Sequence, residues 1–256
     1  MKPLVARIKP VKGVSSLLHN GLLFIFPLIL FVLVRLDFVP LAFILVALSK
    51  WRMFVVRPRF WLANIRSNAV DIMVGLSTLV YMTQTGSASW QFIWAVVYAA
   101  WLILLKPGSS VLYTSLQAGV GFVTGLMALF RAWSGAPLYV LVSAAGLVCF
   151  LSARHFFDSF DEPYSRLLSY LWGYFGAALV WILGHLLVVY PGESGYVTQP
   201  MLFLIVLGVA LASAYYLDHF DRLATYVKRQ LLFVGGGIVL LLLVSLYYEG
   251  HNLLIR

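Results

Sequence analysis

The chain has 256 residues, of which 62% are hydrophobic and only 11% charged, at a mean hydropathy of +0.94. A soluble domain carries about 25% charged residues, so a water-soluble core is excluded and the length divides into spans of about 20 residues with short connections. The formal net charge of +9 lies in gaps between apolar runs rather than on a polar module, which argues against nucleic acid and for anionic lipid headgroups.

Residues 1–16 form a basic start with Lys2, Arg7, Lys9 and Lys12. The apolar run 17–34 follows, and the residues after it, Arg35-Leu36-Asp37-Phe38, offer no small-residue cleavage site. It is therefore expected to remain as a signal anchor. Pro27 near its middle predicts a kink, tolerated in lipid where neighbours satisfy the freed carbonyl. Run 38–51 either crosses in full or turns back with the first run as a re-entrant hairpin.

Seven more apolar runs occupy 69–83, 90–105, 110–130, 137–150, 167–190, 201–217 and 231–248. Several are shorter than a full crossing, so their helices are expected to continue into charged flanks whose Lys and Arg stems snorkel to the headgroups. The fold class is thus all-α: a polytopic transmembrane bundle of about nine spans in consecutive hairpins. The transmembrane domain covers 17–248 and leaves a short external tail at 249–256.

Charge sets the orientation. With the N-terminus cytoplasmic, fifteen of the eighteen Lys and Arg fall in inside gaps, and only Arg35, Arg131 and Arg256 fall outside. Such a bias follows the positive-inside rule, and it places the C-terminus outside. Trp90, Trp133, Tyr190, Tyr247 and Tyr248 gather at the outer boundary and Trp51 and Trp61 at the inner one, as interfacial rings prefer.

The first candidate site is in the third span. Asn64, Asn68, Asp71, Gly75 and Thr78 follow at steps of three and four, which puts them on one helical face. An ionisable group inside a membrane normally faces a bundle or cavity, so Asp71 is a functional candidate. The competing reading pairs it with Arg66, about five residues or ~7 Å of helix away. The fifth span carries a matching stripe, Thr114, Gln117, Gly121 and Thr124. Gly121 and Gly125, together with 143–146 and Gly235-Gly236-Gly237, read first as surfaces for close helix packing.

The second candidate is cytoplasmic: His155, Asp158 and Asp161 after the sixth span, joined by Asp218, His219 and Asp221 after the eighth. Imidazole and carboxylate suit divalent metals, yet no recognised metal or phosphate-loop spacing is present, so no metal or cofactor is assigned. Asp158-Ser-Phe-Asp161 and Asp218-His-Phe-Asp221 repeat one pattern, each after a pair of aromatics. One repeated tetrad is little beside the self-similarity of a true duplication, so simple alternation of spans and loops is the reading. Residues 220–229 and 59–66 have amphipathic character suited to the headgroup layer. Cys149, the only cysteine, lies in an apolar run as a core thiol.

The expected function is that of a non-catalytic membrane subunit or scaffold in a bacterial plasma (inner) membrane. Its partners would be the bilayer and either another membrane protein or a second copy. Two alternatives stand beside it: a small-solute or ion transporter or channel using Asp71 and Gln117, and a membrane enzyme with the His/Asp cluster acting on a lipid-linked substrate.

Overall fold

A computed structural model of the chain describes residues 14–55, 57–133, 135–185, 189–192 and 195–254. The basic residues of 1–13, the tip of the expected outer loop at 193–194 and the final residues 255–256 lie outside it. So do the side chains of Tyr190, Tyr247 and Tyr248.

Nine α-helices succeed one another among the described residues: α1 (Val14–Arg35), α2 (Val39–Leu48), α3 (Trp61–Gln84), α4 (Ala88–Ala100), α5 (Val111–Ala132), α6 (Leu138–Asp158), α7 (Ser165–Gly184), α8 (Gln199–His219) and α9 (Thr225–Leu254). A π-turn at Trp101–Leu105 extends α4, and two 3₁₀ turns, Trp51–Phe54 and Pro58–Phe60, precede α3. Val189–Gly192 and Gly195–Thr198 form a short antiparallel ribbon, β1 and β2, with Val189 opposite Thr198. That ribbon takes the end of the expected seventh run, whose helix stops at Gly184.

Five segments are long and apolar enough to cross a bilayer unaided: Ala88–Leu105 and helices α5, α6, α7 and α8. As expected, α3 and α6 extend well past their apolar runs into polar flanks. α2 is too short for a full helical crossing, one of the two expected readings. Its ten residues rise about 15 Å, half of a ~30 Å hydrocarbon layer. The helix ends where Ser49 turns back on the Val46 carbonyl and Lys50 turns inward to meet Asp71.

Helix ends explain the repeated tetrad. Asp161 and Asp221 both adopt left-handed backbone, φ 52° and 53°, and Asp37 after α1 does so at 62°. Asp and Asn tolerate this region better than most residues and serve, like glycine, to terminate helices. After α8, Arg222 N–H donates to the Leu217 carbonyl at 2.8 Å, and after α1, Phe38 N–H donates to the Leu33 carbonyl at 2.8 Å. These bonds consume carbonyls that a helix end otherwise leaves unpaired. The phenylalanines of the two tetrads meet as well: Phe160 lies 6.5 Å from Phe220, within a cluster that includes Phe156, Tyr215 and His219.

Beside two small clusters around Phe156 and around Phe203, two large apolar cores result. One joins α1 to α4 around Leu30, Val46, Leu79, Met82 and Tyr98; the other joins α5 to α8 around Leu126, Ala145, Cys149, Val180 and Leu204. α3 against α5 connects them, with a Cβ on Gly121 falling 2.7 Å from Val70. α6 and α7 approach closest, since a Cβ on Gly146 would lie 3.2 Å from the Gly173 carbonyl oxygen. Lipid tails are as apolar as leucine, so helix association here rests on such close packing and on polar ties rather than on escape from water. Large apolar side chains such as Leu62, Leu104 and Leu232 are exposed on the outside of the bundle, as a lipid-facing surface requires.

The expected packing use of Gly235-Gly236-Gly237 is not realised among the described residues. None of them approaches within 4 Å of a Cβ at any of the three, because α9 packs at the edge of the bundle on α8.

Candidate functional site

Asp71 sits in the first half of α3 and is 8% exposed. Three donors converge on its carboxylate: Lys50 Nζ from the turn after α2, Lys106 Nζ at 2.7 Å, and Trp101 Nε1, which donates at 2.9 Å. Arg66 is not among its ion-pair partners. Residues five apart on an α-helix point about 140° away from each other, so the axial closeness of Arg66 does not bring it to the carboxylate.

The π-turn makes the geometry work. Lys106 N–H donates to the Trp101 carbonyl at 2.9 Å, the i→i+5 bond of a widened turn. That extra residue brings Trp101 and Lys106, also five apart, onto the same carboxylate. The expense of burying a charge is thereby met with ion pairs and a neutral donor together.

Gln117 on α5 secures the end of this turn. Its Nε2 donates to the Leu105 carbonyl at 2.7 Å and the Gly108 carbonyl at 3.0 Å. With the amide nitrogen committed to carbonyls, Oε1 is the acceptor for His155 Nε2 at 3.2 Å, which assigns the proton to that ring nitrogen. Lys50, Asp71, Lys106, Gln117 and His155 therefore form one connected polar network, contributed by α3, α5, α6 and the turns after α2 and α4.

Arg154 anchors the neighbouring junction. Buried at 7% exposed, it donates from Nη1 to Ser165 Oγ at 2.7 Å and pairs through Nη2 with Asp158 at 2.9 Å, tying the end of α6 to the start of α7. Beyond the repeat, Tyr215 donates to Glu162 Oε2 at 2.5 Å, which brings α8 to the same corner.

The second set of candidates is thus divided among separate duties. His155 belongs to the Gln117 network and Asp158 to Arg154. Asp161 and Asp221 end helices, His219 sits edge-on to Phe160 at 4.9 Å, and Asp218 is exposed with its carbonyl accepting from Asp221 N–H. No set of three His, Cys, Asp or Glu groups is placed to hold a metal among the described residues.

Three recesses surround these elements. One, of about 340 Å³, is lined by Arg66, Ser67, Thr114, His155 and Asp158. Another, of about 490 Å³, lies over Lys50 and Lys106 with Asn64 and Asn68 in its wall. The third, of about 460 Å³, is an apolar groove among α5 to α8. Neither Asp71 nor Gln117 lines any of them.

Asp71, Gln117 and His155 stand out in the amino-acid sequence, whereas Lys50, Trp101 and Lys106 do not. The signal that points to the two lysines is position: each closes an apolar run, where a snorkelling stem has the reach to turn inward. Compared with known proteins, the chain matches no family model, no curated protein and no solved structure.

Proposed function

We propose that this chain is a multi-pass membrane subunit without a catalytic centre of its own, which presents a rigid helical platform to a second transmembrane partner. The observation that carries this reading is the closure of the Asp71 and Gln117 networks within the chain. Asp71 faces two ammonium groups and an indole, and Gln117 serves backbone carbonyls and one histidine. Groups that carry ions or solutes need to face an open route, and neither of these lines any of the three recesses described.

The helix α9 supports the same reading. It lies at the bundle edge, exposes Leu232, Phe233 and Leu240, and leaves Gly235-Gly236-Gly237 open. In lipid, small residues bring helix backbones together, so a transmembrane helix of the partner fits along this face. The topology that goes with it has nine helical segments and a cytoplasmic N-terminus, with α2 descending half-way and the 3₁₀ turns completing the path. The short connections between its spans favour a bacterial plasma membrane as its setting.

The test is assembly. The full chain, extracted in a mild detergent and weighed by native mass spectrometry, is expected to travel with a second polypeptide or a second copy, and Gly236→Leu is expected to release it. A lone monomer before and after the substitution would sink the reading.

A further inference from the structure

The Asp71 site is electrically unbalanced. Two lysines meet one carboxylate, leaving a surplus of one positive charge, and Trp101 contributes a donor without charge. The Lys50 and Asp71 side chains are only 11% and 10% exposed, whereas Lys106 is 34% exposed. A half-desolvated cation without a counter-charge is costly, and the usual remedy is an anion bound through charge-assisted hydrogen bonds.

The space for one is present. The recess of about 490 Å³ has Lys50, Lys106, Asn64 and Asn68 in its wall, with Leu23 and Phe26 of α1 beside them. Asn64 Nδ2 donates to the Met53 carbonyl at 3.3 Å and Asn68 Nδ2 to the Asn64 carbonyl at 2.9 Å. An amide nitrogen carries two N–H groups; Asn64 Nδ2 has its second to offer, whereas Asn68 Nδ2 also donates to Ser67 Oγ at 3.4 Å. The lining is therefore two ammoniums and two amides on one side and α1 hydrocarbon on the other.

We infer that the recess over Lys50 and Lys106 binds a phosphate-type anion carrying one negative charge, the chemistry of a phosphodiester headgroup. A singly charged phosphodiester offsets the surplus charge, its oxygens accept from the lysines and from Asn64, and an attached apolar chain meets Leu23 and Phe26. A free phosphate ester shares the anion chemistry but not the apolar contact. The site is independent of what docks on α9.

The test uses the delipidated full chain in detergent, titrated with short-chain phosphatidylglycerol and, in a separate arm, with inorganic phosphate, and read by native mass spectrometry and thermal shift. One phosphatidylglycerol per chain is expected to bind. Lys106→Gln, which leaves the neutral Lys50–Asp71 pair intact, is expected to weaken it about tenfold or more, as loss of a charged hydrogen bond implies. Lys106→Arg should restore it, and Lys228→Gln on α9 should leave it unchanged. Binding of inorganic phosphate with the same Lys106 dependence, without lipid binding, would identify a soluble phosphate as the source. The proposal is overturned if neither probe binds, if Lys106→Gln binds as the parent does, or if Lys228→Gln weakens binding equally.

Discussion

The Lys106 ammonium lies 2.7 Å from the Asp71 carboxylate, so the turn leaving α4 is tied to the buried half of α3. Lys50 reaches the same carboxylate from the other side, and α2, α3 and α4 are pinned at one point. Removing the shared acceptor leaves two cations facing each other in a confined space. Asp71→Ala is therefore expected to lower stability by about 3–5 kcal/mol, the range for breaking a buried pair. Lys106→Ala should cost much less, because Lys50 still neutralises Asp71. Thermal unfolding of both variants in one detergent checks the order; equal melting temperatures would remove the shared-acceptor account.

Gln117 holds the π-turn by donating to the Leu105 carbonyl, which also accepts from Gly108 N–H at 3.2 Å, and to the Gly108 carbonyl. Gln117→Leu takes this donor from both and is expected to cost about 1–3 kcal/mol. Gln117→Glu should be worse, since an ionised carboxylate is acceptor-only and would face the Leu105 and Gly108 oxygens. Trp101 starts this turn, so its fluorescence should shift in both variants. A Glu variant as stable as the parent would show that the amide nitrogen does not bear on the turn.

Glycines on the two sides of the bundle should respond oppositely. A Cβ at Gly173 would meet the Gly146 carbonyl oxygen at 3.1 Å, and backbone has little room to yield. Gly173→Ala is therefore expected to loosen the α6–α7 crossing and lower the melting temperature. Gly119, on α5, has nothing within 4 Å of a Cβ. With no described residue in its way, Gly119→Ala should be neutral or stabilising by about 0.5–1 kcal/mol, the helix preference of alanine over glycine. A matching fall in both variants would mean that the close α6–α7 crossing is not what the Gly173 variant reports.

Apolar run length and the polar stripes are legible in the amino-acid sequence, because both follow from local periodicity: 3.6 residues per turn put Asn64, Asn68 and Asp71 on one face. The partner of Asp71 is not. Axial rise suggests Arg66, while angular position excludes it, and the true partners come from turns remote in sequence and from a π-turn that no local pattern announces. The half-length α2 is hidden for a related reason. Its apolar run continues to Trp51, but the demand of Asp71 for Lys50 ends the helix early. The Asp-x-Phe-Asp tetrads present the reverse case: conspicuous as a chemical motif, they lie at helix ends and in aromatic packing.

The orientation can be read with the protein's own thiol left in place, since Cys149 is fully buried and offers little background. Ser87 precedes α4 at the expected outer end, and Ser109 precedes α5 at the inner end; both are exposed. Alternation of basic and non-basic gaps puts them on opposite sides of the membrane. In intact cells of a bacterial host, a membrane-impermeant maleimide is expected to label Ser87→Cys and to spare Ser109→Cys until the cells are broken. Because α2 lies upstream of both positions, a half-crossing α2 whose 3₁₀ turns complete the descent gives the same pattern as a full span. A hairpin of α1 and α2 that returns to its starting side also preserves it. The reverse labelling would mean that the Lys50–Asp71–Lys106 site faces the outer leaflet, and equal labelling would mean that the charge asymmetry does not set a single orientation.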